Sequence, residues 1–188
     1  MEGKNRCSWP GDNKLMIEYH DKEWGAAVHD DKKLFEFLIL EGAQAGLTWQ
    51  TVLNKRENYR KAFNNFDPVK IADYGKKDIR RLLGDAGIIR NRLKIESTIN
   101  NAKRFLEVKK EFGSFDKYIW QFVSNKQIRN KFKSLSEIPA KTNESDAMSK
   151  DLLKRGFKFV GSTICYAFMQ AVGMINDHTV DCFRYKMV

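Results

Sequence analysis

The chain has only three prolines and three cysteines, and no hydrophobic run long enough to cross a membrane. Proline breaks helix interiors. Its scarcity over 188 residues, with apolar residues recurring at three- and four-residue spacing, argues against a sandwich or a doubly wound sheet and predicts an all-α fold. Cys7, Cys165 and Cys182 are odd in number and too sparse for the disulfide framework of a small secreted scaffold. They read as reduced thiols or metal ligands. No stretch approaches the roughly 18 apolar residues of a membrane span. The segment Met1-Glu2-Gly3-Lys4-Asn5-Arg6-Cys7 has no apolar core of the kind a secretory signal needs. A cytoplasmic location without a membrane partner is expected. Also missing are a Ser-His-Asp arrangement, a Walker phosphate loop and a dinucleotide fingerprint.

What is abundant is positive charge. Lys and Arg number 34 against 24 Asp and Glu, giving a formal net charge of +10 and an isoelectric point near 9.5. A polyanionic partner is the natural consequence, although charge does not say whether it is DNA or RNA.

The helical pattern divides the chain. From Asp31, read as a cap, Leu34, Phe35, Leu38 and Ile39 line one helix face, which stops at Gly42-Ala43-Gln44-Ala45-Gly46. A second helix is predicted from near Thr48 through Val52, Leu53 and Tyr59 to Phe66, and a third from the Asp67-Pro68 start signal. Further helices are predicted over 78–83, 90–109, 114–123, 145–155 (closed by Gly156) and 162–172 (closed by Gly173). The polar stretch 124–144 reads as a loop. The helices within about 31–123 form a body, and residues 1–30 and 124–188 form a second lobe if something ties them together.

Three constellations carry chemistry. Cys7 and His20 lie near one end, while His178 and Cys182 lie near the other, four apart, a spacing that puts both on one face of a helix. Two thiolates and two imidazoles would satisfy a closed, four-coordinate zinc site of the structural kind. The run Leu82-Leu83-Gly84-Asp85-Ala86-Gly87-Ile88-Ile89-Arg90-Asn91-Arg92 reads as a helix-hairpin-helix. Its turn would aim backbone N–H groups at a DNA phosphate, with Arg90, Arg92 and Lys94 adding charge; a plain connection between helices is the competing reading. Aromatics crowd the first fifty residues, among them Trp9, Tyr19, Trp24, Phe35, Phe37 and Trp49, with Glu41 ending the intervening helix in a position expected to be more exposed than core. Flat apolar faces and one polar group are what an extruded base needs.

Taken together, Tyr19-His20-Asp21-x-Glu23-Trp24-Gly25, Leu40-Glu41-Gly42-x-Gln44-Ala45-Gly46-Leu47-Thr48-Trp49 and Asp85-Ala86-Gly87-Ile88-Ile89-Arg90 strongly resemble the DNA-3-methyladenine glycosylase I family. So do Arg155-Gly156-Phe157-Lys158-Phe159-Val160-Gly161, Thr163-Ile164-Cys165-Tyr166, and Asn176-Asp177-His178 followed by Cys182. The likeness runs from Cys7 to Cys182. It implies a helix-hairpin-helix glycosylase fold whose terminal lobe is joined by one zinc on Cys7, His20, His178 and Cys182. It implies excision of 3-methyladenine, and weakly 3-methylguanine, from alkylated double-stranded DNA, without strand cleavage. Base contacts would fall to Glu41, Tyr19 and Trp49, with Trp9 and Trp24 lining the pocket and Glu41 the one catalytic acid. Met16 stands where the family usually carries a pocket tyrosine, so one stacking wall is changed. Ala45, Gly46 and Leu47 would wedge the DNA, and Gly87, Arg90 and Arg92 would meet its backbone. A monomer, needing no obligate protein partner and found with the nucleoid through its DNA, completes the expectation. A non-catalytic DNA-binding module or an RNA-binding protein would share the charge.

Overall fold

Side-chain caps start most of the helices. The computed structural model describes residues 3–188, so Met1 and Glu2 fall outside the described residues. Asn13 caps α1 (Lys14–Lys22), Thr48 caps α3 (Trp49–Ala62) and Asp67 caps α4 (Pro68–Ala72), where proline occupies the first turn. The cap of α2 (Asp31–Gln44) is Asp30 and not Asp31: its Oδ1 accepts from Lys33 N at 2.8 Å. The remaining helices are α5 (Lys76–Gly84), α6 (Arg92–Phe112), α7 (Phe115–Trp120), α8 (Asn143–Lys154) and α9 (Ser162–Ala171). Gly113, Gly156 and Gly173 follow α6, α8 and α9 with positive φ.

Two departures from the sequence reading matter. Residues Lys14–Lys22 form a helix that the sequence reading missed, although Met16, Tyr19 and His20 stand on one buried face at i, i+3 and i+4. The stretch 124–144 is not wholly irregular. Within it β1 (Ile128–Arg129) pairs in parallel with β2 (Ile175–Asn176), and Leu135–Glu137 make a 3-10 turn.

Helix α2 is the axis of the molecule. From Leu34 to Ala43 every residue is buried, so the helix is enclosed on all sides, by α3, α6, α7 and α9. Leu34, Phe35, Phe37, Leu38 and Leu40 are effectively inaccessible. Truncating any of these to alanine costs about 2–5 kcal/mol. Arg56 of α3 clamps α2 to the end of α1. It donates to Glu36 at 2.6 Å and to both oxygens of Glu23 at 2.9 Å, and stacks 5.0 Å over Phe37. A buried ion pair adds little net stability, but it fixes geometry once formed.

The ends of the chain meet through close backbone contact. Gly25 N–H donates to Gln170 O, and Val28 N–H to Val172 O, each at 3.0 Å. A Cβ on Gly173, whose φ is +70°, would lie 2.3 Å from the carbonyl carbon of Ala26, so only glycine allows this approach.

Candidate functional site

A cleft of about 320 Å³ opens between the first helices and α9. Its walls are Trp9 from the loop before α1, Tyr19 of α1, Trp24 just beyond it, and Trp49 at the first position of α3. The rings brace one another: Trp9 and Trp24 lie 5.1 Å apart edge to face, Tyr19 and Trp49 5.2 Å apart and tilted. Met16 is buried in the apolar core and is not among the residues lining the cleft. Sequence reading missed Gln44 and the far wall, made of Ala167 and Gln170 of α9 with Leu135 and Ile138 from the 3-10 turn. A polar Gln170 within the apolar run of α9 was a usable signal; Leu135 and Ile138, inside a polar loop, gave none.

Glu41 sits at the bottom of this cleft and is 4% exposed, which corrects the expectation of an exposed helix end. The reason is that α2 continues for three more residues and α9 packs against it. No donor among the described residues reaches its carboxylate, and burial pushes that group up to about 8. The Tyr19 hydroxyl is raised as well, by burial first and by Glu41 second. Trp9 Nε1 and Trp49 Nε1 are buried donors without acceptors. Native interiors seldom leave such groups unpaired. One buried acid among aromatic walls is a group held for a planar polar ligand.

Behind the cleft, Cys7, His20, His178 and Cys182 bring their ligand atoms within 4.8 Å of one another, all buried. Cys182 Sγ lies 3.5 Å from both His20 Nε2 and His178 Nδ1, and Cys7 Sγ lies 3.6 Å from His178 Nδ1. Tetrahedral bonds of about 2.3 Å to sulfur and 2.0–2.1 Å to nitrogen put S and N roughly 3.6 Å apart, so the cluster fits a closed four-coordinate metal. The opposite ring nitrogens are held: His20 Nδ1–H donates to Asp21 Oδ1 at 2.8 Å, and His178 Nε2–H to Trp24 O at 3.0 Å. Arg6 grips Asp21 in turn. This is the outer support that orients metal-binding imidazoles. Hydrogen bonding from Cys7, then from the two histidines, holds the Cys182 thiol far below its usual range. His178 and Cys182 do not share a helix face as their spacing implied; the chain there is a turn closed by Cys182 N–H to Thr179 O. Cys165 stands apart, its thiol donating to Val160 O. The cluster also supports the cleft, since the His178 ring meets Trp24 at 4.6 Å and the His20 ring meets Trp9 at 5.4 Å.

The hairpin between α5 and α6 is rigid. Asp85 Oδ1 accepts from Gly87 N–H at 2.7 Å, Ile88 N–H turns back to Asp85 O, and the Tyr59 hydroxyl accepts from Ile89 N–H. These three amides are therefore spent internally and do not point at a ligand as expected. Arg90 and Arg92 are exposed beside the turn, with Arg92 pairing to Glu96 at 3.2 Å. Lys94 adds no surface charge to the hairpin: its Nζ donates to Ala43 O at 2.8 Å and Ala45 O at 2.7 Å. It thereby holds the turn Ala45-Gly46-Leu47. There Gly46 has a φ of +75° and Leu47 is 41% exposed, and the turn lines a second cleft that shares Glu41 and Gln44 with the first.

Residues 9–185 match the methyladenine glycosylase family. The chain is 53% identical over 180 residues to DNA-3-methyladenine glycosylase 1 of Escherichia coli (strain K12), covering 96% of both proteins. Its structure is similar to a crystal structure of 3-methyladenine DNA glycosylase I, with a TM-score of 0.93, 51% identity, and coverage of 95% of this chain and 98% of the other. It is also similar to a tyrosine-to-phenylalanine variant of 3-methyladenine DNA glycosylase I in complex with 3-methyladenine, at a TM-score of 0.92 and 35% identity over 95% and 96% of the two chains.

Proposed function

The chain belongs to the methyladenine glycosylase family, and from that premise we propose that it flips 3-methyladenine out of double-stranded DNA and hydrolyses its bond to the sugar. The observation that carries this reading is Glu41, buried and without a partner at the bottom of an aromatic cleft. The residue roles follow from the chemistry of the lesion. N3-methylation leaves the nucleobase positively charged. When the C1′–N9 bond breaks, its electron pair stays with the base, which departs neutral and needs no proton. Water adds to the electron-poor C1′ and gives its proton to solvent, leaving an abasic site. No lysine is needed as a Schiff-base nucleophile, so the strand stays intact.

Tyr19 and Trp49 stack on the base, and Trp9 and Trp24 complete the wall. Stacking contributes about 1–3 kcal/mol per base, and cation–π attraction about 0.5–2 kcal/mol more in a dry site. Extrusion costs a few kcal/mol, so these contacts decide whether flipping succeeds. Glu41 accepts from the exocyclic amine and favours the cation. In the empty cleft it keeps its proton at neutral pH, given a pKa of about 8, and a bound cation draws that proton off. A neutral carboxyl would also suit a general acid; the good leaving group favours the acceptor role. Normal adenine brings no charge to reward. 3-Methylguanine is a weaker substrate on this reading.

The exposed turn Ala45-Gly46-Leu47 enters the gap left in the stack, while Arg90 and Arg92 meet phosphates through their side chains. Zinc is the metal that suits two thiolates and two imidazoles. With no coordination position left open, it would tie residues 1–30 and 124–188 into one lobe beside the body at 31–123, and supply no reaction chemistry. The working unit is a single chain acting on nucleoid DNA in the cytoplasm.

Incubation of the purified protein with methylated DNA, followed by chromatography of the released bases, tests this. Free 3-methyladenine is expected, with unbroken strands containing abasic sites. Binding without release of any base would instead identify a non-catalytic DNA-binding protein.

A further inference from the structure

Gln170 is a polar residue of the cleft for which the flipping chemistry has assigned no role. Its Nε2 donates to Asp177 Oδ2 at 2.7 Å. That oxygen also accepts from the Tyr166 hydroxyl at 2.6 Å, and Asp177 Oδ1 accepts from Asn130 Nδ2 at 2.7 Å. Asp177 is 1% exposed. An ionised carboxylate only accepts. It therefore holds the nitrogen of the Gln170 amide against itself and turns Oε1 the other way. No donor among the described residues reaches that oxygen, and it is not among the sealed, unpaired polar atoms of the interior. A glutamine carbonyl oriented by its own amide, in the wall of a cleft, is an acceptor reserved for a ligand.

We propose that Gln170 is a specificity-determining residue for the base, with Asp177 as its positioning residue. Glu41 accepts one N–H of the exocyclic amine and Gln170 Oε1 accepts the other. This rests on the 3-methyladenine reading above and deepens it. The six-position of an adenine lesion carries two N–H donors, whereas a guanine lesion carries a carbonyl oxygen there. Two acceptors meet the first as a pair of hydrogen bonds and the second as a clash of lone pairs. Sites built around such bonds reject an analogue that lacks them far better than apolar walls do.

The test compares wild type and Gln170→Met for release of 3-methyladenine and 3-methylguanine from the same methylated DNA. We expect 3-methyladenine release to slow about tenfold and 3-methylguanine release by less than about twofold. Equal slowing of both bases, or no change in either, overturns the role of Gln170 while leaving the enzyme reading intact. A wild type that releases no 3-methyladenine overturns both. A second measurement needs no variant: binding of free 3-methyladenine and of its N6-methyl derivative to wild type, followed by tryptophan fluorescence. With acceptors on both sides, the added methyl must displace a hydrogen bond and should weaken binding about tenfold or more. Equal affinities overturn the proposal.

Discussion

Glu41 shows how a binding site can work against the stability of the protein that carries it. Its carboxyl is raised from 4.5 to about 8 by burial alone. Between those values the unfolded chain has lost the proton and the folded chain keeps it, so folding stability falls as pH rises through this window and the loss is complete above about pH 8. At about 1.4 kcal/mol for each pH unit, the full effect is of the order of a few kcal/mol. Glu41→Gln should abolish this dependence. In urea melts the variant is expected to match wild type near pH 4.5, apart from a constant offset, and to gain on it steadily towards pH 8; parallel curves would show that the carboxyl is solvated. The same variant separates acceptor from acid. Binding of free 3-methyladenine should weaken by about 1–3 kcal/mol, and excision should slow yet persist. Unchanged binding with nearly all activity lost would place Glu41 in the chemical step, since loss of a general acid costs about 10²–10⁴ in rate.

At the scale of elements, α6 connects the hairpin to the pocket. Its N-terminal turn carries Arg92 on the outside, while Lys94 faces inward and holds the last carbonyls of α2. Burial lowers the Lys94 ammonium, as befits a cation committed to carbonyls and not to water. Lys94→Met should cost about 1–3 kcal/mol by leaving those carbonyls unpaired. It should slow excision from DNA while leaving affinity for the free base unchanged, if the Ala45-Gly46-Leu47 turn meets only the duplex as proposed. Loss of free-base binding would mean that the clamp shapes the pocket itself. For the outer face, Arg90→Ala and Arg92→Ala should each flatten the salt dependence of duplex binding by about one counterion. Unchanged slopes in both would make them ordinary surface charges. Helices with strong apolar stripes and terminal signals were legible in the sequence: Asp67-Pro68 and the closing glycines Gly156 and Gly173 all mark real boundaries. The helix Lys14–Lys22 was legible but missed: its buried Met16, Tyr19 and His20 stand at i, i+3 and i+4, but the stripe spans only nine residues and includes a histidine in place of an apolar side chain. The burial of Glu41 was not legible, because it depends on α9, more than 100 residues away in the chain. The ligand set could be read from residue type alone, whereas its local geometry could not: His178 and Cys182 converge through a turn.

The whole molecule is closed by joining its ends. Besides the Cys₂His₂ cluster, Phe183 N–H donates to Asn5 O at 2.9 Å, and Asn5 Nδ2 donates to the backbone and side chain of Asp181. These contacts are exposed and individually weak, so the buried cluster, with the backbone bonds of Gly25 and Val28 to α9 and the residue after it, carries the tie. Loosening of the cluster would reach the cleft directly, because the rings of His20 and His178 rest on Trp9 and Trp24. One zinc per chain is expected by elemental analysis. Metal affinity should fall in acid, because the ligands bind as thiolates and neutral imidazoles and protons compete for them. Cys182→Ser replaces a soft ligand by a poor one inside a buried site. It should lower stability by several kcal/mol, each kcal/mol taking roughly 2–4 °C from the melting temperature of a chain this size. Molecules that remain folded should bind the base more weakly, through the loosened Trp9 and Trp24, but lose no chemical step, since the cluster touches no reacting atom. Chelation of wild type should reproduce the loss, and added zinc should restore it. A metal-free wild type that melts at the same temperature as the loaded protein would show that the hydrogen-bonded cluster closes the lobe unaided.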